Sequence, residues 1–239
     1  AYEYVGFGTE PALGKRQLEE AEELLIKAWT TDNVKFDGEF WKVAFPSVRP
    51  RPFQKPHPPL SRAASTLPSV IEMAKIGRPV LIRGGPFDAT AEQIEAYRDN
   101  MSESGFSDEA VQNNLDQIWV WREMHIADTN DQAWDEYLPA HYKAYEHMEA
   151  VRREWNPDGM EMNIQRPPMK REGYGKIPNP SVGELLIGGP ERVADQIAMM
   201  RDMGIKNLML TNRGLISKEN TVKSLRLLNE KITPKFRVD

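Results

Sequence analysis

The sequence predicts an α/β fold built on a parallel sheet, and three observations carry that prediction. Short apolar runs alternate with helix-period segments over most of the 239 residues. Glycine and proline punctuate the joints between them. There is no cysteine, so a packed core must hold the chain without disulfides, and a thiolate nucleophile or thiolate metal site is excluded. A chain of this length can bury a core of that size unaided.

The elements follow in order. Residues 1–10, AYEYVGFGTE, have neither the basic nor the apolar region of a secretory signal, and no initiator Met. A processed chain, or one whose beginning is missing, is expected from that opening. Residues 14–30 place Leu18, Ala21, Leu24, Leu25 and Ala28 at helical spacing, with charges between them. The acidic pairs Glu19-Glu20 and Glu22-Glu23 read as the solvated face of this helix. In 34–43, VKFDGEFWKV, Asp37-Gly38 separates two alternating runs and signals a hairpin. The five prolines of 47–60, SVRPRPFQKPHPPL, exclude a helix and favour an extended connection.

Four strands are expected beyond it, at 59–64, 79–83, 118–127 and 207–211. Helical patterns separate them at 68–76, 90–104, 131–155 and 190–203, and a last helix is expected over 218–231. This alternation means parallel strands joined by crossover helices. Residues 156–183 are rich in Pro, Gly and Met without a period, and read as a mobile loop or a lid. Four strand–helix units are half of an eightfold barrel, which takes about 250 residues when complete. Left open, a four-stranded sheet would expose its edges. An N-terminal portion is therefore expected to lie outside this sequence.

Composition narrows the function. The net charge of −5 is spread along the chain, which argues against nucleic acid as a partner. No apolar run approaches membrane-span length. His57 sits in the proline-rich connection and His125 in a strand, while His141 and His147 are six apart and share no helix face. A zinc site is not expected. Neither a G-x-S-x-G nor a Walker-type loop is present, and Trp119, Trp121 and Trp134 read as packing. No residue identifies itself as a catalytic acid or base.

Two places could meet a ligand. Ser65, Thr66 and Ser69 surround the start of the helix after the first of the four strands. A helix start presents unpaired N–H groups and a positive dipole end, which hydroxyl donors turn into a phosphate site. Capping is the commoner use of such residues, and the two uses are compatible. Gly188 and Gly189 precede Pro190-Glu191 at the next helix start, where glycine lets a ligand approach the backbone. Gly84-Gly85-Pro86 repeats the arrangement after the strand at 79–83.

The order of segments resembles the C-terminal part of the bacterial luciferase-like flavin monooxygenases. The resemblance lies in Phe7-Gly8, LEEAEELLIKAWT, VKFDGEFWKV, RPRPFQKPHPPL, AASTLPSVIEMAKIG, HIADTNDQAW, IGGPERVADQIAMMRDMGIKNLML and SLRLLNEKITPKF, and it covers almost the whole chain as one domain, 1–239. It implies a (β/α)8 barrel of TIM type, of which this chain holds about the last four units. It implies reduced FMN at the C-terminal ends of the strands, reacting with O2 and a small organic substrate. One branch of the superfamily uses a deazaflavin instead, and a non-catalytic flavin-binding partner subunit is the other alternative. The family's phosphate contacts carry over to Ser65, Thr66 and Ser69, with Gly188 and Gly189 on the same face. A homodimer, a flavin reductase as supplier of reduced cofactor, a cytoplasmic location and inactivity of this portion alone complete the expectation.

Overall fold

The computed structural model describes residues 2–83, 85–156, 185–212 and 215–237. Most of the expected lid, 156–183, and Gly84 lie outside the described residues. The described chain falls into two compact units, one drawn from residues up to 60 and 149–156, the other from residues 61–148 and from 185 onward.

The smaller unit contains α1 (Tyr2–Gly6), α2 (Gly14–Thr30), β1 (Val34–Asp37) and β2 (Lys42–Phe45). The helix coincides with the expected range. The strands pair antiparallel from Val34↔Phe45 to Asp37↔Lys42, with Val34 and Phe36 buried. Four residues, 38–41, bridge them in place of a two-residue Asp-Gly turn. Glu20 of α2 explains the wider loop. Its carboxylate accepts from the N–H groups of Glu39, Phe40 and Trp41, each at 2.9 Å. A Cβ on Gly38 would stand 2.0 Å from Glu20 Oε1, so the glycine is what lets the carboxylate in. Glu20 is thus half-buried and bonded, and does not belong to a solvated face.

The larger unit contains the parallel sheet. Its elements are β3 (Arg62–Ala64), α3 (Leu67–Lys75), β4 (Val80–Ile82), α4 (Phe87–Glu103), α5 (Asp108–Leu115), β5 (Trp119–Ile126), α6 (Asn130–Trp155, its last turns in the smaller unit), β6 (Leu186–Gly188), α7 (Pro190–Asp202), β7 (Asn207–Thr211) and α8 (Lys218–Leu227). All four expected strands form, and every pairing is parallel. Leu81 and Ile82 of β4 pair with Trp119 and Val120, and so do Asn207 and Leu208 of β7. The two strands therefore flank β5 on opposite edges. β5 then runs on, and its last three residues, Met124 to Ile126, pair with β6.

In the larger unit, β6 and α5 were not foreseen. β6 is three residues long, too short for a period to show. α5 buries only Val111 and Leu115, so its apolar stripe is thin. Its start was legible, because the Ser107 hydroxyl accepts from Ala110 N–H at 3.3 Å and Asp108-Glu109 fill the first turn. The helix expected over 218–231 leaves α geometry at Leu227 and ends in a wider turn, Leu228–Ile232.

Alternation along the strands divides the sheet into two faces. Ala64, Val80, Ile82, Val120, Met124 and Ile126 enter the main core with Val70, Phe87, Val193 and Met200 of the helices. Arg122 points the same way and is fully buried. It donates to Thr90 Oγ1 at 2.9 Å and to the Trp121 carbonyl at 3.1 Å, with its guanidinium 5.4 Å over the Phe87 ring. The opposite face carries Ala63, Leu81, Trp119, Trp121 and Met209 in register. Among the described residues this face is bare: Trp119 is 43% exposed and Met209 42%. Parallel sheets are ordinarily covered on both faces; the described residues cover one of them.

The core also fixes a titration. Tyr97 is fully buried in α4 and donates to the Arg78 carbonyl at 3.0 Å. Burial pushes its phenol from 10.0 up to about 12, a hydrogen bond with Asn114 offsetting part of the shift. Between those values the unfolded chain gives up a proton that the folded chain keeps, so the contribution is complete below pH 10 and falls as pH rises through the window. Urea unfolding on either side of pH 10 is expected to show this decline, and Tyr97→Phe to remove that part of it.

Candidate functional site

Parallel strands place their C-terminal ends, and the loops that follow, on one rim. Here that rim holds Ser65 after β3, Arg83 after β4, Asp128 after β5, Gly189 after β6 and Asn212 after β7.

Thr66 is the N-cap of α3, with extended backbone at φ −126° and ψ 150°. Its hydroxyl accepts from Ser69 N–H at 3.4 Å, and Ser69 Oγ accepts from Thr66 N–H at 3.2 Å and donates to the Thr66 carbonyl at 2.7 Å. This is a capping box. The two hydroxyls meet each other's needs, and Pro68 has no N–H to offer. Among the described residues, what the cap leaves unspent is the exposed Ser65 hydroxyl and the Leu67 N–H, at the positive end of a nine-residue helix. Arg83 follows β4 at the same level, its N–H donating to the Ala64 carbonyl at 3.4 Å. Its exposed guanidinium, one strand spacing away, is within side-chain reach of the Ser65 position.

The glycine pair packs against the start of α6. Gly189 N–H donates to Asn130 Oδ1 at 2.8 Å, joining the start of α7 to the start of α6. A Cβ on Gly188, whose φ is +156°, would meet Arg192 Cδ at 2.6 Å and Asn130 Oδ1 at 2.8 Å. Arg192 Nε donates to the Ile187 carbonyl at 3.1 Å, and burial lowers its pKa from the ordinary value. An open groove of about 910 Å³ lies there, lined by Asn130, Gly189, Arg192, Lys231 and Lys235 among others. It is not continuous with the α3 cap along the sheet. Ala64 is level with Ile82 and Val120, whereas Gly188 is level with Ile126, six residues further along β5. At about 3.3 Å per residue that is roughly 20 Å. The sheet brings Ser65, Thr66 and Ser69 together and sets Gly188 and Gly189 apart from them.

Between the two levels lies a polar layer. On the bare face, the residues above Trp121 are Glu123 and His125, both buried. They meet the first turns of α6. His125 Nε2 bonds Glu136 Oε2 at 2.7 Å, and Gln132 Nε2 donates to Glu136 Oε1 at 2.8 Å. Tyr137 Oη donates to Glu123 Oε2 and lies 3.2 Å from His141 Nδ1. The spacing of His141 and His147 does not reveal this layer. The usable signal was Glu123 and His125 at i, i+2 on a strand, opposite Gln132/Glu136 and Tyr137/His141, each i, i+4 on a helix.

Comparison with known proteins agrees with this architecture. The family model described as luciferase-like monooxygenase matches residues 1–207. Among solved structures, monooxygenase RslO1 from Streptomyces bottropensis superposes with a TM-score of 0.75 at 19% identity, over 98% of this chain and 65% of its own. The oxygenating constituent of 3,6-diketocamphane monooxygenase from Pseudomonas putida, in complex with FMN, gives 0.60 at 15%, over 94% and 64%. The coenzyme F420 dependent tetrahydromethanopterin reductase from Methanopyrus kandleri gives 0.60 at 15%, over 96% and 65%. The chain thus spans just under two thirds of the length of these structures. At such identities the likeness establishes the fold, a partial TIM-type barrel. No curated protein matches the sequence.

The α3 cap gives a direct test of its geometry. Thr66→Ala and Ser69→Ala are each expected to cost about 1 kcal/mol in urea unfolding. Because each hydroxyl serves the other, the double variant should lose less than the sum; strict additivity would mean two independent caps.

Proposed function

Since the chain belongs to the luciferase-like monooxygenase family, we propose that it is the C-terminal part of a flavin-dependent monooxygenase that uses reduced FMN and O2 to oxygenate a small organic substrate. The observation that carries this reading is a helix start with unspent donors on the rim, at the top of a bare apolar wall formed by the strands beneath it. The Ser65 hydroxyl, the Leu67 N–H and the Arg83 guanidinium would hold the cofactor phosphate, the α3 dipole favouring its charge. Thr66 and Ser69 act one step back, fixing the loop that presents Ser65. Two neutral donors and one cation suit a phosphate dianion, so the residues present fit the group.

When bound, reduced flavin supplies the two electrons that oxygen activation requires. The rest falls to the chain. Leu81, Trp119, Trp121 and Met209 form a wall that keeps water away once the barrel is closed. Closure needs strands beyond β3 and β7, the edges of the barrel portion among the described residues, and relatives longer than this chain have room for them. Inactivity of this portion alone follows from an open wall. A flavin reductase would supply the reduced cofactor from outside.

A deazaflavin-dependent oxidoreductase is the second reading. The F420 dependent reductase is as similar to this chain as the FMN-bound oxygenating constituent is, at a TM-score of 0.60 each. Absorbance after reconstitution with each cofactor decides between them.

The phosphate assignment is tested by comparing FMN with riboflavin, which lacks the phosphate. In the complete protein, Ser65→Glu and Arg83→Glu are each expected to weaken FMN binding about tenfold or more, 1.4 kcal/mol, and to leave riboflavin binding unchanged. Equal losses for both ligands, or none for either, would remove the assignment.

A further inference from the structure

The polar layer over the bare wall contains a continuous hydrogen-bonded line. Glu123 and Tyr137 are each only 3% exposed, and His141 is half-buried. Tyr137 has one hydroxyl proton, and it goes to Glu123 Oε2. The 3.2 Å contact of the same oxygen with His141 Nδ1 then needs the hydrogen on the imidazole. Stacking of the two rings, 5.4 Å apart at 29°, fixes that orientation. Glu123 is paired with Thr211, the last residue of β7, so the line begins where the strand gives way to its loop. A cavity of about 10 Å³ opens beside all three side chains, closed by Ala140, Leu215 and Ile216. That is about the space one water needs.

We propose that Glu123, Tyr137 and His141 form a proton relay at the rim, with the Tyr137 hydroxyl passing a proton between His141 Nδ1 and Glu123 Oε2. The step balances without another reagent. The Nδ1–H bond of a His141 imidazolium breaks as a new O–H bond forms on Tyr137, whose original proton moves to Glu123. Imidazolium and carboxylate become imidazole and carboxylic acid, and the total charge is unchanged. The neutral acid then holds a deliverable proton on the face that carries Trp119, Trp121 and Met209. The purpose of the relay rests on the oxygenase reading, since oxygenation with O2 releases water and takes up protons. The wiring does not.

Among the described residues, the titratable groups that face the relay include Glu123 and His125 from β5, and Glu136, Tyr137, His141 and Tyr142 from α6, while Leu215 and Ile216 of the loop after β7 line the cavity beside it. His125 is already bonded to Glu136 and serves as an internal reference.

The test is NMR titration of the histidines in the full chain, labelled with 15N-histidine and without flavin. Glu123→Gln removes the charge while keeping an acceptor for Tyr137, and Tyr137→Phe removes the bridge. Each is expected to lower the pH at which His141 titrates by roughly half a unit or more. The double variant should go no lower than the larger single shift, and His125 should move less than His141. An unmoved His141, or shifts that add, overturns the relay. Should Tyr137→Phe fail to give a folded spectrum, Glu123→Gln decides alone. In the flavin-loaded complete protein the pH profile of turnover separates the two readings. Shifted histidines without any oxygenation retain the relay and remove the oxygenase. Oxygenation with the same pH profile in Glu123→Gln does the reverse.

Discussion

The backbone ladder of β5 is the constraint on which the larger unit depends. β4, β6 and β7 all pair with it directly, and β3 is attached through β4. Its eight residues exceed the length of any other described strand, and the excess is what separates the levels of the rim. The lower half of the strand builds barrel. The upper half leaves the barrel plane of β3 and β4 behind, recruits β6, and lifts Glu123 and His125 to the height of α6. A shorter β5 would keep the barrel but lose the polar layer.

That ladder imposes opposite environments on neighbouring residues. Arg122 is turned into the helix-side core, where an unsatisfied charge would cost several kcal/mol. Thr90, the Trp121 carbonyl and the Phe87 ring meet it there. One residue later Glu123 is turned to the other face and must be met by Tyr137. Two adjacent charged residues in a strand look contradictory in a one-dimensional pattern. In the sheet they belong to different compartments, and each has its own partners.

Much of the fold was legible because it is written in local periods. The helix at 14–30, the four parallel strands and the crossovers follow from alternation and punctuation, and in the larger unit the structure adds β6 and α5, whose periods are too short or too thin to register. The site was less legible. The Thr66–Ser69 spacing announces a cap, and a cap is what forms; that Ser65 and the Leu67 N–H remain unspent depends on the reciprocal bonds within the box. Glu20 reads as surface because nothing local shows a hairpin loop folding back onto it. Gly188 and Gly189 announce a close approach, but the partner is Asn130, far away in sequence. Glu123, Tyr137 and His141 converge only once register and helix packing are known.

The bond between Gly189 and Asn130 has a consequence for how such a chain can diversify. It ties together two points 59 residues apart, at the level where β5 and β6 end. Asn130 is the first residue of α6 and Gly189 the N-cap of α7, so one hydrogen bond sets the starts of two crossover helices against each other. A replacement at either end is felt by both helices, and the two positions can change only together.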